Sequence, residues 1–239
     1  MNWFKDLFGF VESAHSVGTQ LSVVGEWMVS SVNGVRYRCG TLSIPDLKSV
    51  KERTDPLLNR ANSQRRTTLR EVVADVQTLH KDPNNRGAIF QVASQCNLLE
   101  MVGPSVTPEA GVTGYYYDRT QGPACAIACG AGTVYRNYFV QLYDQIGQTT
   151  SLQVDTMQDL HDALGGGIWS MQNGYLLPTT SSLNSISERL NEASEPWMNH
   201  IRIGVHRNVQ VTLSTDPNQI VHQLYCSAMP VSYSGIHSD

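Results

Sequence analysis

Charge is scarce in this chain. Only 16% of its 239 residues are charged, and 17 basic against 21 acidic residues give a net charge of -4. A protein that binds long DNA or RNA needs a basic surface, because phosphate contacts supply most of its affinity. We therefore expect no binding of bulk nucleic acid, whereas a local pocket for one nucleotide is compatible with this composition.

Long apolar runs are also missing. No stretch approaches the roughly 18 apolar residues of a membrane-spanning helix. The first residues, MNWFKDLFGFVESAHSV, mix one lysine and two acidic residues with aromatic ones, unlike the uninterrupted apolar segment of a secretion signal. Because 41% of the residues are hydrophobic, a core can still form. These features predict a globular, cytoplasmic protein that does not contact a membrane.

The cysteines form no metal-binding pattern. There are five of them, an odd number, with no CxxC pair and no histidine at ligand spacing. We expect reduced thiols and no metal site, and no motif indicates a cofactor.

The N-terminal residues predict an amphipathic helix within residues 1–20. Apolar side chains from Trp3 to Val11 recur at helical spacing. Docking on the body of the protein is favoured over a membrane-surface anchor, because the polar face lacks clustered Lys and Arg. Residues 21–239 then form a single domain, since no repeat or linker divides them.

Helices and strands alternate along that domain. Two β-rich runs around Asn33-Gly34 predict a hairpin with a two-residue turn. TTLREVVADVQTLH, residues 67–80, has the clearest helical spacing, and GAIFQVAS reads as a short buried strand. Later segments predict a helix (MQDLHDAL), a strand or hairpin (IWSMQNGYLLP), an amphipathic helix (SSLNSISERLNEA) and two strands (IRIGVHRNVQVTL and IVHQLYCSAMPVSYS). The expected fold class is α/β: one three-layer domain whose mixed β-sheet is flanked by helices, with an N-terminal helix and β-hairpin extension.

Polar residues are concentrated between Gln91 and Tyr138. Ligands of α/β proteins bind beyond the carboxyl ends of strands, where the residues after GAIFQVAS would lie. The turn into TQGPACAIACGAG also begins a helix, whose free N–H groups could hold an anion, although close packing of small residues explains it too. The predicted ligand-binding residues are Gln91, Ser94, Gln95, Asn97, Thr120, Gln121, Gly122, Ala124 and Cys125.

Two carboxylates in this region are candidates for acid–base catalysis. Glu100 and Asp118 are the catalytic candidates, and a surface or capping role is the alternative for each. Asn97 could likewise cap a loop, one of the tyrosines Tyr115–Tyr117 could cover a ligand, and Arg136 is expected to be a structural ion-pair partner.

Other patterns indicate no further site. The glycines Gly165–Gly167 match no phosphate-binding motif and favour a turn before Ile168, and no GxSxG nucleophile motif occurs. His206 and His222 alternate with apolar neighbours, as histidines in the core or on the solvent face of strands do.

The middle of the chain resembles the macrodomain family, which binds ADP-ribose and in many members removes it from its targets. FQVASQCN and TQGPACAIACGAG occupy the places of that family's Asn-containing loop and GGG(V/I)A-type turn, within Gly87 to Tyr138. The resemblance implies a macrodomain-like fold, with Asn97 near the distal ribose and the backbone of Gly122 to Cys125 on the diphosphate.

The chain departs from the family at two places. The turn reads Gln121-Gly122-Pro123 instead of three glycines. After Gly165–Gly167 and Gln172, Asn173 and Gly174 stand where the poly(ADP-ribose) glycohydrolase branch has two glutamates, which argues against inheritance of that mechanism there.

Three functions follow as hypotheses. The first is an ADP-ribose-binding hydrolase that cleaves a ribose glycosidic bond of an ADP-ribosylated substrate, with Glu100 or Asp118 acting at the anomeric carbon. The second is a module that binds ADP-ribose or another nucleotide without catalysis. The third is a structural or interaction protein that uses its N-terminal apolar face.

Overall fold

The computed structural model describes residues 2–58, 67–179 and 194–228. Its helices are α1 Trp3–Phe8, α2 Ala14–Gln20, α3 Leu47–Leu58, α4 Val76–Lys81, α5 Gln121–Ala128, α6 Gly130–Tyr138, α7 Gln158–Ala163 and α8 Ser194–Met198. Its strands are β1 Leu21–Val24, β2 Trp27–Ser30, β3 Arg36–Arg38, β4 Thr41–Ser43, β5 Ile89–Ser94, β6 Gln141–Leu142, β7 Gln145–Ile146, β8 Trp169–Gln172, β9 Tyr175–Pro178, β10 Gly204–Gln210 and β11 Ile220–Ser227. Short 3₁₀ helices lie at Pro83–Asn85, Pro108–Ala110 and Thr113–Tyr117.

A mixed four-stranded sheet organises the fold. Its order is β4-β10-β11-β5, where β10 runs antiparallel to β4 and β11, and β11 runs parallel to β5. The predicted α/β class, the mixed sheet and both C-terminal strands are confirmed.

Helices α4, α5 and α6 cover one face of this sheet. Alternation along the strands turns Val92 and Tyr225 toward them, and both side chains are fully buried. His80 of α4 stacks on Phe90 of β5 at 3.7 Å between ring centroids. The sheet and these three helices enclose the apolar core that supports the loop after β5.

The opposite face is more open along β5. Ile89 is 66% exposed, and Gln91 and Ala93 are exposed as well, so the expectation of a buried strand is wrong for these positions. Among the described strands, β5 pairs with β11 alone and lies at the edge of the sheet. The segment SSLNSISERLNEA lies outside the described residues, and the three-layer arrangement and the macrodomain-like topology stay predictions.

The N-terminal residues form two helices, and their apolar side chains are part of the core. Trp3, Phe4 and Phe8 of α1 are buried in the largest hydrophobic cluster. Between α1 and α2, the carboxylate of Glu12 accepts hydrogen bonds from the backbone N–H groups of Val112 and Thr113 at 2.8 and 2.7 Å. Docking on the body is therefore confirmed, and this segment supports the loop that carries Tyr115 and Asp118.

The predicted hairpin is confirmed, but its turn is longer than expected. Strands β1, β2 and β3 form an antiparallel sheet, and residues 31–34 connect a hydrogen-bonded Ser30 and Val35. Gly34 adopts a φ of +71°, as the Asn-Gly pair indicated. The loop is tied to α1, since Asn33 Nδ2 donates to the carbonyl of Leu7 at 3.1 Å. This tertiary anchor, absent from an isolated hairpin, favours the longer turn.

The helix predicted over 67–80 is wrong for residues 67–75. Only Val76–Lys81 is helical, and it begins where Asp75 accepts hydrogen bonds from the N–H groups of Gln77 and Thr78. Leu69 and Val73 are fully exposed. An apolar stripe stabilises a helix mainly by packing against a partner, and none of the described residues covers this stripe.

The remaining helix and hairpin predictions agree with the structure. MQDLHDAL contains α7, and IWSMQNGYLLP forms the β8–β9 hairpin around Asn173 and Gly174, whose φ values are +49° and +84°. Gly165–Gly167 form a turn with positive φ at each glycine, as expected. None of the helices within the described ranges is long and apolar enough to cross a membrane.

Arg136 of α6 lies at the centre of the fold with only 1% of its surface exposed. Its guanidinium donates to the carbonyl of Leu98 at 3.1 Å and to Thr133 Oγ1 at 3.0 Å, and it contacts His206 Nδ1 at 3.1 Å. Burial holds the pKa of His206 well below its usual range, so the ring is a neutral acceptor. The prediction that Arg136 forms an ion pair is wrong, because its hydrogen-bond partners are uncharged.

We predict opposite effects of two Gly→Ala substitutions in helices. A Cβ at Gly132 of α6 would lie 2.6 Å from Val209 Cγ1 of β10, so Gly132→Ala should lower the free energy of unfolding by about 1–3 kcal/mol. Gly18 of α2 faces open space, and alanine has a higher helix propensity than glycine. Gly18→Ala should therefore raise the free energy of unfolding by about 0.5–1 kcal/mol. Urea unfolding of both variants checks the pair, and a Gly132→Ala protein as stable as Gly18→Ala would contradict the packing of α6 on β10.

Candidate functional site

The loop after β5 is held in place by its own side chains. Gln95 Oε1 accepts from the N–H of Met101 at 2.8 Å, and Leu98 adopts a φ of +63° between them. The hydroxyl of Tyr115 accepts from the N–H of Glu100 at 2.9 Å. Gln95 therefore shapes the loop that positions Glu100.

Asn97 is fully buried, and both of its polar side-chain atoms have partners. Its Oδ1 accepts from the N–H of Leu99 at 3.1 Å, and its Nδ2 donates to Gln153 Oε1 at 2.9 Å. Gly174 packs against Asn97 so closely that a Cβ there would overlap its Oδ1. The contact of Oδ1 with the N–H of Leu99 is the loop cap that was the alternative role for Asn97. Its predicted contact with a ribose stays a prediction.

Glu100 is the most unusual ionisable group of the site. It is 4% exposed, and its Oε1 is buried without a hydrogen-bond partner. Burial raises the pKa of this carboxyl well above its usual range; Arg136 opposes the increase, and Asp118 adds to it. The side chain therefore keeps its proton at pH values where an exposed glutamate is ionised.

The first turn of α5 accommodates Glu100 because position 122 is glycine. A Cβ on Gly122 would overlap both Glu100 Oε2 and the carbonyl oxygen of Ala93. The glycine in TQGPACAIACGAG thus serves close packing of a carboxyl group against the helix start. Any anion approaching this turn would meet Glu100 beside it.

Asp118 fixes the entry into α5. The side chain is half-buried, and its Oδ1 accepts from the N–H and the hydroxyl of Thr120 at 2.8 and 2.7 Å. Gln121 Nε2 then donates to the carbonyl of Gln91 at 3.0 Å, which joins α5 to the edge strand β5. These contacts form a turn just before the N-cap residue Thr120, and no side chain caps the first turn of α5. The predicted catalytic role of Asp118 stays a prediction.

Two cavities adjoin these residues. One of about 300 Å³ is lined by Asp75, Gln77, Tyr116, Asp118, Arg119, Ala124 and Ile127. A smaller one of about 90 Å³ has Glu100 and Tyr115 in its wall. Among the predicted site residues, Asp118 and Ala124 thus share the larger cavity, and Glu100 borders the smaller one.

The other predicted site residues are not gathered around either cavity. Ser94 is buried and donates to the carbonyl of Gln95 at 3.1 Å, and the carbonyl of Cys125 accepts from Gln223 Nε2 at 3.0 Å. The side chains of Gln91, Thr120 and Gln121 are exposed. No contact in the structure tests their predicted roles in ligand binding.

Sequence reasoning missed Asp75 and Gln77. Both residues line the cavity of about 300 Å³. They lie within residues 67–80, for which the sequence predicts one continuous helix, whereas α4 starts only at Val76. Gln77 Nε2 donates to the carbonyl of Ala124 at 3.2 Å and so joins α4 to α5 beside the cavity. An Asp directly before an apolar helix was the available signal, since Asp is a favoured N-cap.

A third, larger groove was also missed. It has a volume of about 570 Å³ and is lined by residues of several distant segments, among them Tyr143, Gln153, Asp155, Asp159 and Arg202. These residues form no motif along the chain, so only the folded structure brings them together.

The thiols and carboxylates offer no metal centre in the described parts of the chain. No group of three or more His, Cys, Asp or Glu side chains there is placed to hold a metal ion. The five cysteines are free, and burial raises the pKa of Cys39 and Cys125 to about 12 and that of Cys96 to about 11. Thiols with such pKa values are poor nucleophiles near neutral pH.

Comparisons of the chain with protein-family models, with curated proteins and with solved structures give no match. The resemblance to macrodomains therefore stays a prediction from a short part of the sequence. The geometry around Glu100 and its neighbouring cavities is the firmest basis for a functional proposal.

We predict that Glu100→Gln makes the protein less sensitive to alkaline pH. In the folded wild type the pKa of Glu100 lies above its unfolded value, so the folded state binds more protons and stability falls as pH rises from about 4.5 toward the folded pKa. Glutamine has nearly the same shape and no charge. Urea unfolding at pH 5 and pH 8 should show the variant gaining stability relative to wild type at the higher pH.

Glu71→Gln is the matched control for that experiment. Glu71 is exposed, and its replacement should leave the difference between pH 5 and pH 8 as in the wild type. An unchanged pH dependence in Glu100→Gln would mean that the carboxyl of Glu100 has access to solvent or to a cation.

Proposed function

We propose that this protein binds ADP-ribose or a related nucleotide and hydrolyses a ribose glycosidic bond, with the carboxyl group of Glu100 as proton donor. The observation that supports this best is the burial of Glu100, which raises its pKa and leaves one oxygen without a partner. Proton donors in enzymes need a pKa near the working pH, which an exposed glutamate does not have.

The chemistry requires two different carboxyl groups. Cleavage of a bond to ribose passes through an oxocarbenium-like state, in which the leaving group takes a proton and a water molecule approaches the anomeric carbon. Glu100 would supply the proton. Asp118, half-buried in the wall of the 300 Å³ cavity, would orient the water. Carboxyl groups in unlike environments commonly divide the roles of acid and base in this way.

The lining of the larger cavity suits part of a nucleotide. Tyr116 offers an aromatic face for a base, and Arg119 offers a guanidinium group for a phosphate. A volume of about 300 Å³ is at the lower end of small-molecule sites, so the cavity fits one half of a dinucleotide better than the whole.

Binding without catalysis is the second candidate function, and one observation favours it. Glu100 is 4% exposed, so a substrate reaches its carboxyl group only if neighbouring residues move aside. The cavity beside Asp118 and Arg119 is open without any such movement. A module that recognises a nucleotide there would need no proton donor.

We predict that Glu100→Gln separates binding from turnover. The wild type should gain thermal stability with ADP-ribose, by about 2.7 kcal/mol at 100 times the dissociation constant, and should release ADP-ribose from an ADP-ribosylated protein. Glu100→Gln should keep the thermal shift and lose about 10²–10⁴-fold in turnover, because only the proton donor is missing. Arg119→Ala should weaken the thermal shift. Glu71→Gln, which changes an exposed residue that does not line the cavity, should match wild type in both measurements.

Each outcome distinguishes the candidates. Absence of a thermal shift with ADP-ribose, NAD, ATP and AMP would contradict nucleotide binding. A shift without any product from the wild type would select the binding module. Full turnover in Glu100→Gln would exclude this residue as the proton donor.

A further inference from the structure

The groove of about 570 Å³ shares no lining residue with the cavities beside Glu100 and Asp118. The β6–β7 hairpin forms one side of it, and α7 with the residues before it forms another. None of its lining residues belongs to the nucleotide site proposed above. Its volume is within the range of small-molecule sites.

Tyr143 at the rim of the groove has an unusual conformation. It stands first in the two-residue turn between β6 and β7, where Leu142 pairs with Gln145, and its φ is +50°. Bulky residues rarely adopt this left-handed conformation, which glycine adopts without cost. The side chain is 91% exposed, so burial does not compensate for the strain. Strained residues of this kind are concentrated at functional sites.

Gln153 in the groove is held in a fixed orientation. Its Oε1 accepts from Asn97 Nδ2 at 2.9 Å, and its Nε2 donates to Asn173 Oδ1 at 3.1 Å. Each contact uses part of the amide's capacity and leaves one N–H and one acceptor site for a ligand. A side chain already fixed in this way loses little freedom when a ligand binds.

The charges of the groove do not favour an anion. Asp159 Oδ2 lies 2.8 Å from Arg202 Nε and 2.7 Å from its Nη2, so the positive charge already has a carboxylate partner. Asp155 is half-buried, and its Oδ1 accepts from the N–H of Met157 at 2.8 Å. The groove therefore presents acceptor oxygens and amide groups with no unpaired cation among its lining residues.

We propose that this groove binds a neutral carbohydrate. The ring of Tyr143 would lie against the apolar face of a sugar, and Gln153, Asp155 and Asp159 would bind its hydroxyl groups. An aromatic ring, an oriented amide and carboxylates that line one groove match the chemistry of a sugar, which has an apolar ring face and a rim of hydroxyls that both donate and accept. A phosphorylated ligand would find no unpaired cation there, because Arg202 is already bound to Asp159.

The test titrates the full-length protein with maltohexaose, cellohexaose, xylohexaose and chitohexaose by calorimetry. We expect at least one of these neutral sugars to bind at millimolar affinity or better. Tyr143→Gly should weaken that binding about tenfold or more without lowering the melting temperature, because glycine adopts the left-handed turn freely. Tyr117→Ala is the control, since Tyr117 is also largely exposed, at 82% against 91% for Tyr143, but does not line the groove.

Binding of none of the four sugars, or unchanged binding by Tyr143→Gly, would overturn the proposal. The same variant is titrated with ADP-ribose, for which it should behave as wild type does. Loss of ADP-ribose binding in Tyr143→Gly would also overturn it, because the groove would then belong to the nucleotide site.

Discussion

The buried guanidinium group of Arg136 holds together parts of the chain that are far apart in sequence. A charge taken out of water is costly unless hydrogen bonds compensate for it, and here the carbonyl of Leu98, Thr133 Oγ1 and the neutral ring of His206 do so. The guanidinium also lies 3.8 Å from the centre of the Tyr225 ring on β11. One side chain of α6 thereby connects the loop after β5 to both central strands of the sheet.

The position of Glu100 follows from this arrangement. Leu98, whose carbonyl binds Arg136, is two residues before Glu100, and its left-handed backbone turns the chain toward α5. Gly122 then leaves room for the carboxyl group at the helix start. The same loop also contacts the groove beside Tyr143, because Asn97 Nδ2 donates a hydrogen bond to Gln153 Oε1 in its lining. The two proposed sites therefore depend on one short segment, residues 95–100, and a disturbance there would affect both.

Local patterns were reliable where local forces decide. Asn33-Gly34 and Asn173-Gly174 mark hairpins because few residues adopt positive φ easily, and the glycine run Gly165–Gly167 marks a turn for the same reason. Helical spacing alone was not reliable over 67–80, since the apolar stripe from Leu69 to Val73 has no described partner. For the candidate site, the sequence pointed to Glu100 and Asp118, whose catalytic roles stay predictions. It did not show that Glu100 is buried, that Asp118 accepts hydrogen bonds from Thr120, or that Asp75 and Gln77 line the cavity.

By itself, the sequence determined the α/β class, the positions of most strands and turns, and the net charge of -4, because composition and backbone preference act residue by residue. The tertiary structure alone decided which polar groups lost contact with water. The high pKa of Glu100 and the neutral state of His206 both come from neighbours brought in by distant segments. The groove beside Tyr143 likewise exists only because Gln153, Asp159 and Arg202 meet in the fold. Desolvation and the convergence of distant side chains have no counterpart in the linear order of residues.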